Sequence, residues 1–398
     1  MSQRVLFLSH LANRSGAPII LLRFLQWLKA NRDCDFSIVL NGGGELESDF
    51  AAIAPSLVMD RILGYDCHQV RAMLHRHAEP IAAWLDRFTL RHGLEIAAKP
   101  DLIYANSIAN AEVLETLPWA DVPVLCHVHE LEFSLRHNIG LDYFARVKKR
   151  VNRYIAVSSA VRQNLIENHQ IAPADVELIY GFAPTNNMPD KISSRAKVIR
   201  ELNLPDDAIL IAGSGAIGWL KGTDLFVQLA GKTIARKPEL PIYFLWIGSD
   251  QQALPRGQMS HDIRLLGLES RVILCGLKPN PLEYFAACDV FALTSREDSF
   301  PLVGLEAAAV GTAILCFEKA GGMPEFVGKD CGVVVDYLDV DAMADAIVRL
   351  VQSPVDRQTI AANAREKVCR ENDVSVIAPQ IANCMQRMMG ASPDVKNG

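Results

Sequence analysis

No stretch of this chain approaches the ~18 consecutive apolar residues that a membrane-crossing helix needs, so none is expected to span a bilayer. The first apolar run, Val5 to Leu8, is too short for the hydrophobic region of a signal peptide, and no such peptide is expected before Arg4. An excess of positive charge is also missing. The 40 Lys and Arg residues face 46 Asp and Glu, a net charge of −6, which argues against a general nucleic-acid binder. Paired cysteines are absent as well: none of the nine forms a C-x-x-C pair. Cys126, Cys275, Cys288 and Cys316 sit among apolar neighbours and read as reduced core thiols, which points to a reducing cytoplasm. Metal-ligating patterns are scarce. The single D-x-D, Asp339-Val-Asp341, falls at a helix start and reads as a cap, and the strand-end pair His127 and His129 supplies too few ligands for a closed site. No metal and no cofactor are expected.

What is present is length and apolar content enough for two cores: 398 residues, half of them hydrophobic. Apolar, β-branched runs alternate with helical patterns, the mark of an α/β chain with parallel sheets and crossover helices. One series of strands is expected at Val5–Ser9, Phe36–Leu40, Leu102–Tyr104, Val124–His127, Tyr154–Val157 and Val176–Tyr180. A second is expected at Ile209–Ser214, Tyr243–Ile247, Val272–Leu274, Val290–Leu293, Ala313–Cys316 and Val333–Val335. Between them, a stretch rich in Pro, Asn and polar residues follows Phe182. The division predicted is a doubly wound domain over 1–182, a linker over 183–200, a second doubly wound domain over 201–373, and a final helix and tail over 374–398. Open α/β sheets bind ligands beyond the carboxyl ends of their strands, so the strand-end loops are where function is sought.

The most informative of these loops runs S-R-E-D-S-F-P-L-V-G-L-E from Ser295 to Glu306, joining the Val290 strand to a helix expected over 301–310. Asp298 or Ser299 suits the N-cap and Pro301 the first turn, which leaves the amides of Leu302 and Val303 unpaired above the sheet. A helix start of that kind favours anions, phosphate first. Asp298 and Glu306 flank it, and carboxylates would instead accept hydrogen bonds from hydroxyls. A capping Asp and a solvated Glu on an ordinary strand–loop–helix unit fit the spacing equally well.

Four other loops carry glycine. Ile209 to Thr223 ends in G-S-G-A-I-G-W-L-K-G-T, whose Gly213, Gly215 and Gly218 match a dinucleotide fingerprint, but Trp219 to Gly222 intervene before a helix capped by Thr223 or Asp224. Its one cation, Lys221, is placed to neutralise a diphosphate. Gly321 and Gly322 precede a helix with Glu325 in its first turn, and Ser15-Gly16-Ala17 forms a small-residue turn after the first strand. Gly276 to Asn280, with Lys278, could edge a nucleotide base. Elsewhere, Tyr143 to Arg162 carries Arg146, Lys148, Lys149, Arg150, Arg153 and Arg162 without an acid. That run is either a solvated face or a peripheral contact with anionic lipid.

The segment D-S-F-P-L-V-G-L-E resembles the E-x7-E motif of the retaining glycosyltransferases of family 4, which have the GT-B fold of two Rossmann-like domains facing a cleft. The chain has Asp298 where that motif most often has Glu. The resemblance implies that Asp298 contacts hydroxyls of a donor sugar and Glu306 the nucleotide ribose, with Phe300 between them at the same site. It implies that Lys221 stabilises the departing diphosphate, that Gly215, Gly321, Gly322 and Glu325 lie beside it, and that Gly16 approaches from the first domain. His129 with Glu130 is similar to the family's donor-contacting pair, while His127 would point the other way and is structural. The arginine that family places five or six residues before the lysine is replaced here by Ala216 or Gly215. Also implied are a return of the last helix to the first domain, a UDP- or GDP-linked sugar as donor, a glycan or lipid-linked acceptor of bacterial surface assembly, and a cytoplasmic place at the inner face of the membrane. His129, Lys221 and Asp298 are the catalytic candidates. A nucleotide-sugar 2-epimerase of similar fold, an NAD-dependent oxidoreductase or a non-catalytic sugar-binding relative are the competing readings.

Overall fold

The structure is a computed structural model that describes residues 3–62, 65–93, 99–248 and 253–390. Fifteen strands are ordered along it: β1 Gln3–Ser9, β2 Cys34–Leu40, β3 Ser56–Val58, β4 Arg61–Ile62, β5 Tyr65–Asp66, β6 Leu102–Asn106, β7 Val124–Val128, β8 Arg153–Ala156, β9 Val176–Leu178, β10 Ile209–Ser214, β11 Ile242–Ile247, β12 Val272–Gly276, β13 Val290–Leu293, β14 Ala313–Phe317 and β15 Gly332–Val335. The chain forms two compact units. One comprises the residues up to Tyr180 together with those from Val374 onward, the other Gly181 to Asp373.

The first unit is built on a seven-stranded sheet in the order β3-β2-β1-β6-β7-β8-β9, whose neighbouring strands pair in parallel. Val5 to Ser9 and all of β6 and β7 are buried, as expected of parallel strands covered on both faces. Phe7, Phe24 and Tyr104 fill the layer between sheet and helix, with the Tyr104 ring 5.1 Å from Phe7 and 6.0 Å from Phe24. The helix Val374–Met388, which includes Pro379, belongs to this unit and places Arg387 in a bidentate ion pair with Glu177.

The second unit has a six-stranded parallel sheet in the order β12-β11-β10-β13-β14-β15. Phe226 packs edge-on against Phe244 and Trp246, 5.5 and 5.0 Å away, and Gly213 in β10 makes room for them. The helix Lys191–Glu201 forms within the stretch read as linker, with Asp190 capping it through the Ser193 amide, and it lies inside the second unit. Each sheet reverses its winding once, between β1 and β6 in the first unit and between β10 and β13 in the second. Crevices open at such reversals, beyond the strand ends.

Three features were not foreseen: β3, the β4–β5 hairpin and the helices His68–His77 and Glu79–Gly93. All nine cysteines are unpaired. Among the described residues no helix is long and apolar enough to cross a membrane. The basic stretch 143–162 is not one helical face, because β8 separates the helices Leu141–Lys148 and Ser159–Glu167. Its cations are largely engaged within the unit. Arg146 is bound to Glu115, Lys148 lies over Phe144 and donates to the His169 carbonyl, and Arg150 and Arg162 donate to carbonyls of Val122 and Val176. A lipid contact through this run finds no support in this arrangement.

Candidate active site

At the β10–β13 reversal two loops interlock. Gly222 caps the helix Thr223–Arg236 from a left-handed conformation, φ +62°, where a Cβ would come within 1.9 Å of the Thr294 carbonyl oxygen. Neither Thr223 nor Asp224 supplies that cap, because the backbone turn does so and the Asp224 side chain faces elsewhere. It accepts both arms of Arg296, at 2.8 and 2.7 Å, and the guanidinium lies over Trp219, 5.0 Å from its ring centre. The Arg296 amide donates to the Leu220 carbonyl and the Thr294 hydroxyl to that of Lys221.

This clamp delivers Lys221 to Asp298. Their side chains form an ion pair, with Lys221 still about a third exposed and Asp298 at 14%. The Ser295 hydroxyl also donates to Asp298. Asp298 therefore caps no helix. The helix is Leu302–Ala309, its N-cap is Pro301, and no side chain caps it. The reason is local: the Asp298 carboxylate is drawn sideways to the lysine, and the Pro301 carbonyl accepts from Gly304 and Leu305. Among the described residues, the amides of Leu302 and Val303 donate to no protein acceptor. Glu306, on the second turn, is buried at 9% exposure, and Phe300 at 5%.

The double-glycine loop joins the same assembly. The Asp298 amide donates to the Ala320 carbonyl at 2.7 Å, the Gly322 amide to that of Ser299 at 3.1 Å, and Asp298 pairs with Gly321 as an isolated parallel bridge. Gly321 has φ +133°. Glu325 follows in the short helix Met323–Val327. Gly215, Lys221, Asp298, Phe300, Leu302, Val303, Glu306, Gly321, Gly322 and Glu325 thus all lie in loops or helix starts around the end of β13 or β10. Lys278 is engaged within the second unit. It is paired with Glu201 at 2.6 Å and stacked over Tyr284, which together raise its pKa against the opposing effect of burial.

In the first unit, Asn106 links the other candidates. It is fully buried at the end of β6, donates from Nδ2 to the Ala17 carbonyl at 2.9 Å, and lies 3.0 Å from His129 Nε2 through Oδ1. Since Nδ2 is committed to a carbonyl, Oδ1 must accept, so the proton of neutral His129 sits on Nε2 and its Nδ1 is an acceptor. Burial, with His127 and His10 nearby, holds His129 well below the ordinary histidine value. Glu130 bonds the Ser107 hydroxyl and the His129 amide, and burial pushes its pKa up. His127 is structural: its Nδ1 meets the Tyr104 hydroxyl at 2.6 Å, and burial lowers its pKa to about 3. Gly16 opens the helix Gly16–Asn31, and a Cβ there would meet nothing within 4 Å.

The D-x-D is a cap and a salt-bridge partner. Asp339 accepts from the Ala342 amide, and Asp341 pairs with Lys232 and Arg236. Among the described residues no group of three or more His, Cys, Asp or Glu is placed to hold a metal ion. Arg296 and Asn106 were not foreseen from the sequence; each becomes visible only when distant loops meet.

Comparison with known proteins agrees with this arrangement. A model described as glycosyltransferase family 4 matches residues 14–187, and one described as glycosyl transferases group 1 matches 206–353. A D-inositol 3-phosphate glycosyltransferase of Corynebacterium urealyticum is 33% identical over 178 residues, 43% of this chain and 41% of that one. A GDP-mannose-dependent monoacylated alpha-(1-6)-phosphatidylinositol monomannoside mannosyltransferase of Corynebacterium glutamicum is 27% identical over 207 residues, 50% and 51% of the two chains. The chain thus spans about half the length of the curated relatives it matches. Among solved structures, Anabaena HepE in complex with UDP and glucose superposes with a TM-score of 0.79 at 21% identity, covering 96% of this chain and 99% of that one. Sucrose-phosphate synthase from Thermosynechococcus elongatus gives 0.74 at 19%, covering 98% and 100%. The fold is that of the GT-B glycosyltransferases, and with family models matching in both units the chain belongs to glycosyltransferase family 4, the glycosyl transferases group 1.

Proposed function

We propose that the protein is a retaining glycosyltransferase that moves a hexosyl group from a UDP- or GDP-sugar to an acceptor hydroxyl, without a metal ion, in the assembly of a surface glycan or glycolipid. The observation that carries this reading is the Lys221–Asp298 pair set beside the open amides of Leu302 and Val303. A partly exposed ion pair contributes only about 0–1 kcal/mol, so an arriving diphosphate, with its greater charge, displaces the carboxylate from the ammonium. Lys221 then neutralises the leaving group with help from the two amides, and Asp298 is freed to accept a hydrogen bond from a sugar hydroxyl. Glu306 would hold the ribose. The anomeric bond to the diphosphate breaks with its electron pair staying on phosphate, while the acceptor oxygen bonds the same face and passes its proton to the departing phosphate oxygen. His129, neutral and with Nδ1 as an acceptor, could take a hydroxyl within the first unit.

The choice of donor draws on the relatives: HepE is described in complex with UDP and glucose, and the C. glutamicum enzyme as GDP-mannose-dependent. Calorimetry across UDP-sugars, GDP-sugars and NAD tests the donor class, with binding of a nucleotide sugar expected and binding of NAD alone overturning it. NMR of the product should show the donor's anomeric configuration, undiminished in excess chelator. Formation of a 2-epimer with nucleoside diphosphate released in the absence of acceptor would identify an epimerase instead.

A further inference from the structure

At the carboxyl ends of β10, β13 and β15 the second unit holds an indole out in solvent. Trp219 is 53% exposed, although tryptophan is on average a highly buried residue. It is not loose. Its carbonyl accepts from Arg296 Nη1 at 2.9 Å and from the Gly222 amide at 3.0 Å, and the Arg296 guanidinium lies against one face of the ring. Arg296 ties in a second aromatic as well: its own carbonyl accepts from the Tyr337 hydroxyl at 3.1 Å, and Tyr337 is 42% exposed. Tyr337 stands in a four-residue turn closed by the Asp339 amide on the Asp336 carbonyl, where Leu338 takes the left-handed φ +63° that an L side chain adopts at a cost. Two large rings are thus held in water by one arginine.

Rigid aromatic rings bind with little loss of side-chain freedom, and a flat apolar face selects a ligand with an apolar face of its own. Charge narrows the class. Lys221 pairs with Asp298, Arg296 with Asp224, and Glu318 adjoins Lys319, so these cancel, and Glu297, Asp336 and Asp339 remain. That balance disfavours phosphate, nucleic acid and anionic lipid. Asp224 retains acceptor capacity: each of its oxygens takes one bond from Arg296, a carboxylate has about four lone-pair sites, and the group is still partly exposed. A fitting ligand presents C–H bonds to the indole and hydroxyls to the carboxylate. A pyranose does both, with C–H bonds on its faces and hydroxyls round its edge. A protein interface takes about 20–30 residues a side, more than the cluster of Trp219, Tyr337 and Leu338 offers.

We propose that Trp219 and Tyr337, mounted on Arg296 and edged by Asp224, form a binding platform for an uncharged saccharide. The platform does not rest on the transferase reading.

Saturation-transfer NMR on the full chain tests it, together with tryptophan fluorescence, using maltotriose and cellotriose as neutral probes and trigalacturonate as their anionic counterpart. A neutral trisaccharide is expected to receive saturation at its ring C–H protons and to shift the protein's emission to the blue. Trp219→Ala should weaken its binding at least about tenfold, or ~1.4 kcal/mol. Trp219→Phe keeps a flat face, so binding should fall by less than about threefold while the emission shift disappears. A merely structural indole would not give that split, and it carries the test if Trp219→Ala does not fold. Trigalacturonate should bind about tenfold more weakly than the neutral probes. No transfer to either neutral trisaccharide, unaltered binding in Trp219→Ala, an equal loss in Trp219→Ala and Trp219→Phe, or equal or tighter binding of trigalacturonate would overturn the proposal. Nucleotide-sugar calorimetry keeps the two readings apart: trisaccharide binding without nucleotide-sugar binding supports the platform and sinks the transferase reading, and the converse sinks the platform alone.

Discussion

The methylenes of Lys221 lie across the bare backbone of Gly215, where a Cβ would sit 3.1 Å from Cγ, 3.2 Å from Cδ and 3.3 Å from Cε. Gly215 also holds φ +142°, which side chains of L-residues rarely adopt. The glycine is a bed that aims the ammonium at Asp298. Gly215→Ala is expected to weaken nucleotide-sugar binding about tenfold, or ~1.4 kcal/mol, and Lys221→Ala by more, both read by calorimetry. Wild-type affinity in Gly215→Ala would show that the aim of the lysine does not matter.

Gly222 carries a sharper constraint. Any side chain there faces the left-handed penalty of about 1–2 kcal/mol and a carbonyl oxygen 1.9 Å from its Cβ. Scanning calorimetry of Gly222→Ala should show a fall in Tm of at least about 4 °C. Gly218→Ala, with nothing within 4 Å of its Cβ, is the control and should stay within about 0.5 kcal/mol.

Arg296 serves the loop through its planar fork. Lysine cannot reproduce the paired bonds to Asp224 or the stack on Trp219. Arg296→Lys should raise the donor Kd several-fold while changing stability by less than about 1 kcal/mol, since Asp224 is partly exposed. A large stability loss with unchanged affinity would make the residue a fold element only.

Acid should weaken the first unit through its histidines. His127 has its pKa depressed from 6.5 to about 3, and His129 is lowered too, so both are neutral in the folded state. Their unfolded forms gain protons first as pH falls. Stability from these groups is therefore complete above about pH 6.5 and drains away as pH drops from there toward the folded values, at up to about 1.4 kcal/mol per unit and group. Urea titrations of wild type and His127→Gln at pH 7 and pH 5 should converge by about 2 kcal/mol at the lower pH. A constant difference would mean that His127 is not held neutral.

Much of the fold was legible because parallel strands buried on both faces leave unbroken apolar runs. Both series of expected strands are present, most within one or two residues of their bounds. The short β3, Ser-Leu-Val, and the two-residue strands at Arg61 and Tyr65 carry too few residues for a pattern. Lys278 shows the limit at the site. Its position after a strand was readable, but its capture by Glu201, 77 positions earlier, was not. Asp298 likewise could be picked by its spacing from Glu306, yet its pairing with Lys221 depends on Gly222 and Thr294 meeting.

The bridge between Asp298 and Gly321 turns two separate stretches of chain into one moving part. A displacement of either backbone is carried to the other, so a change of shape on one rim of this loop pair is felt on the opposite rim.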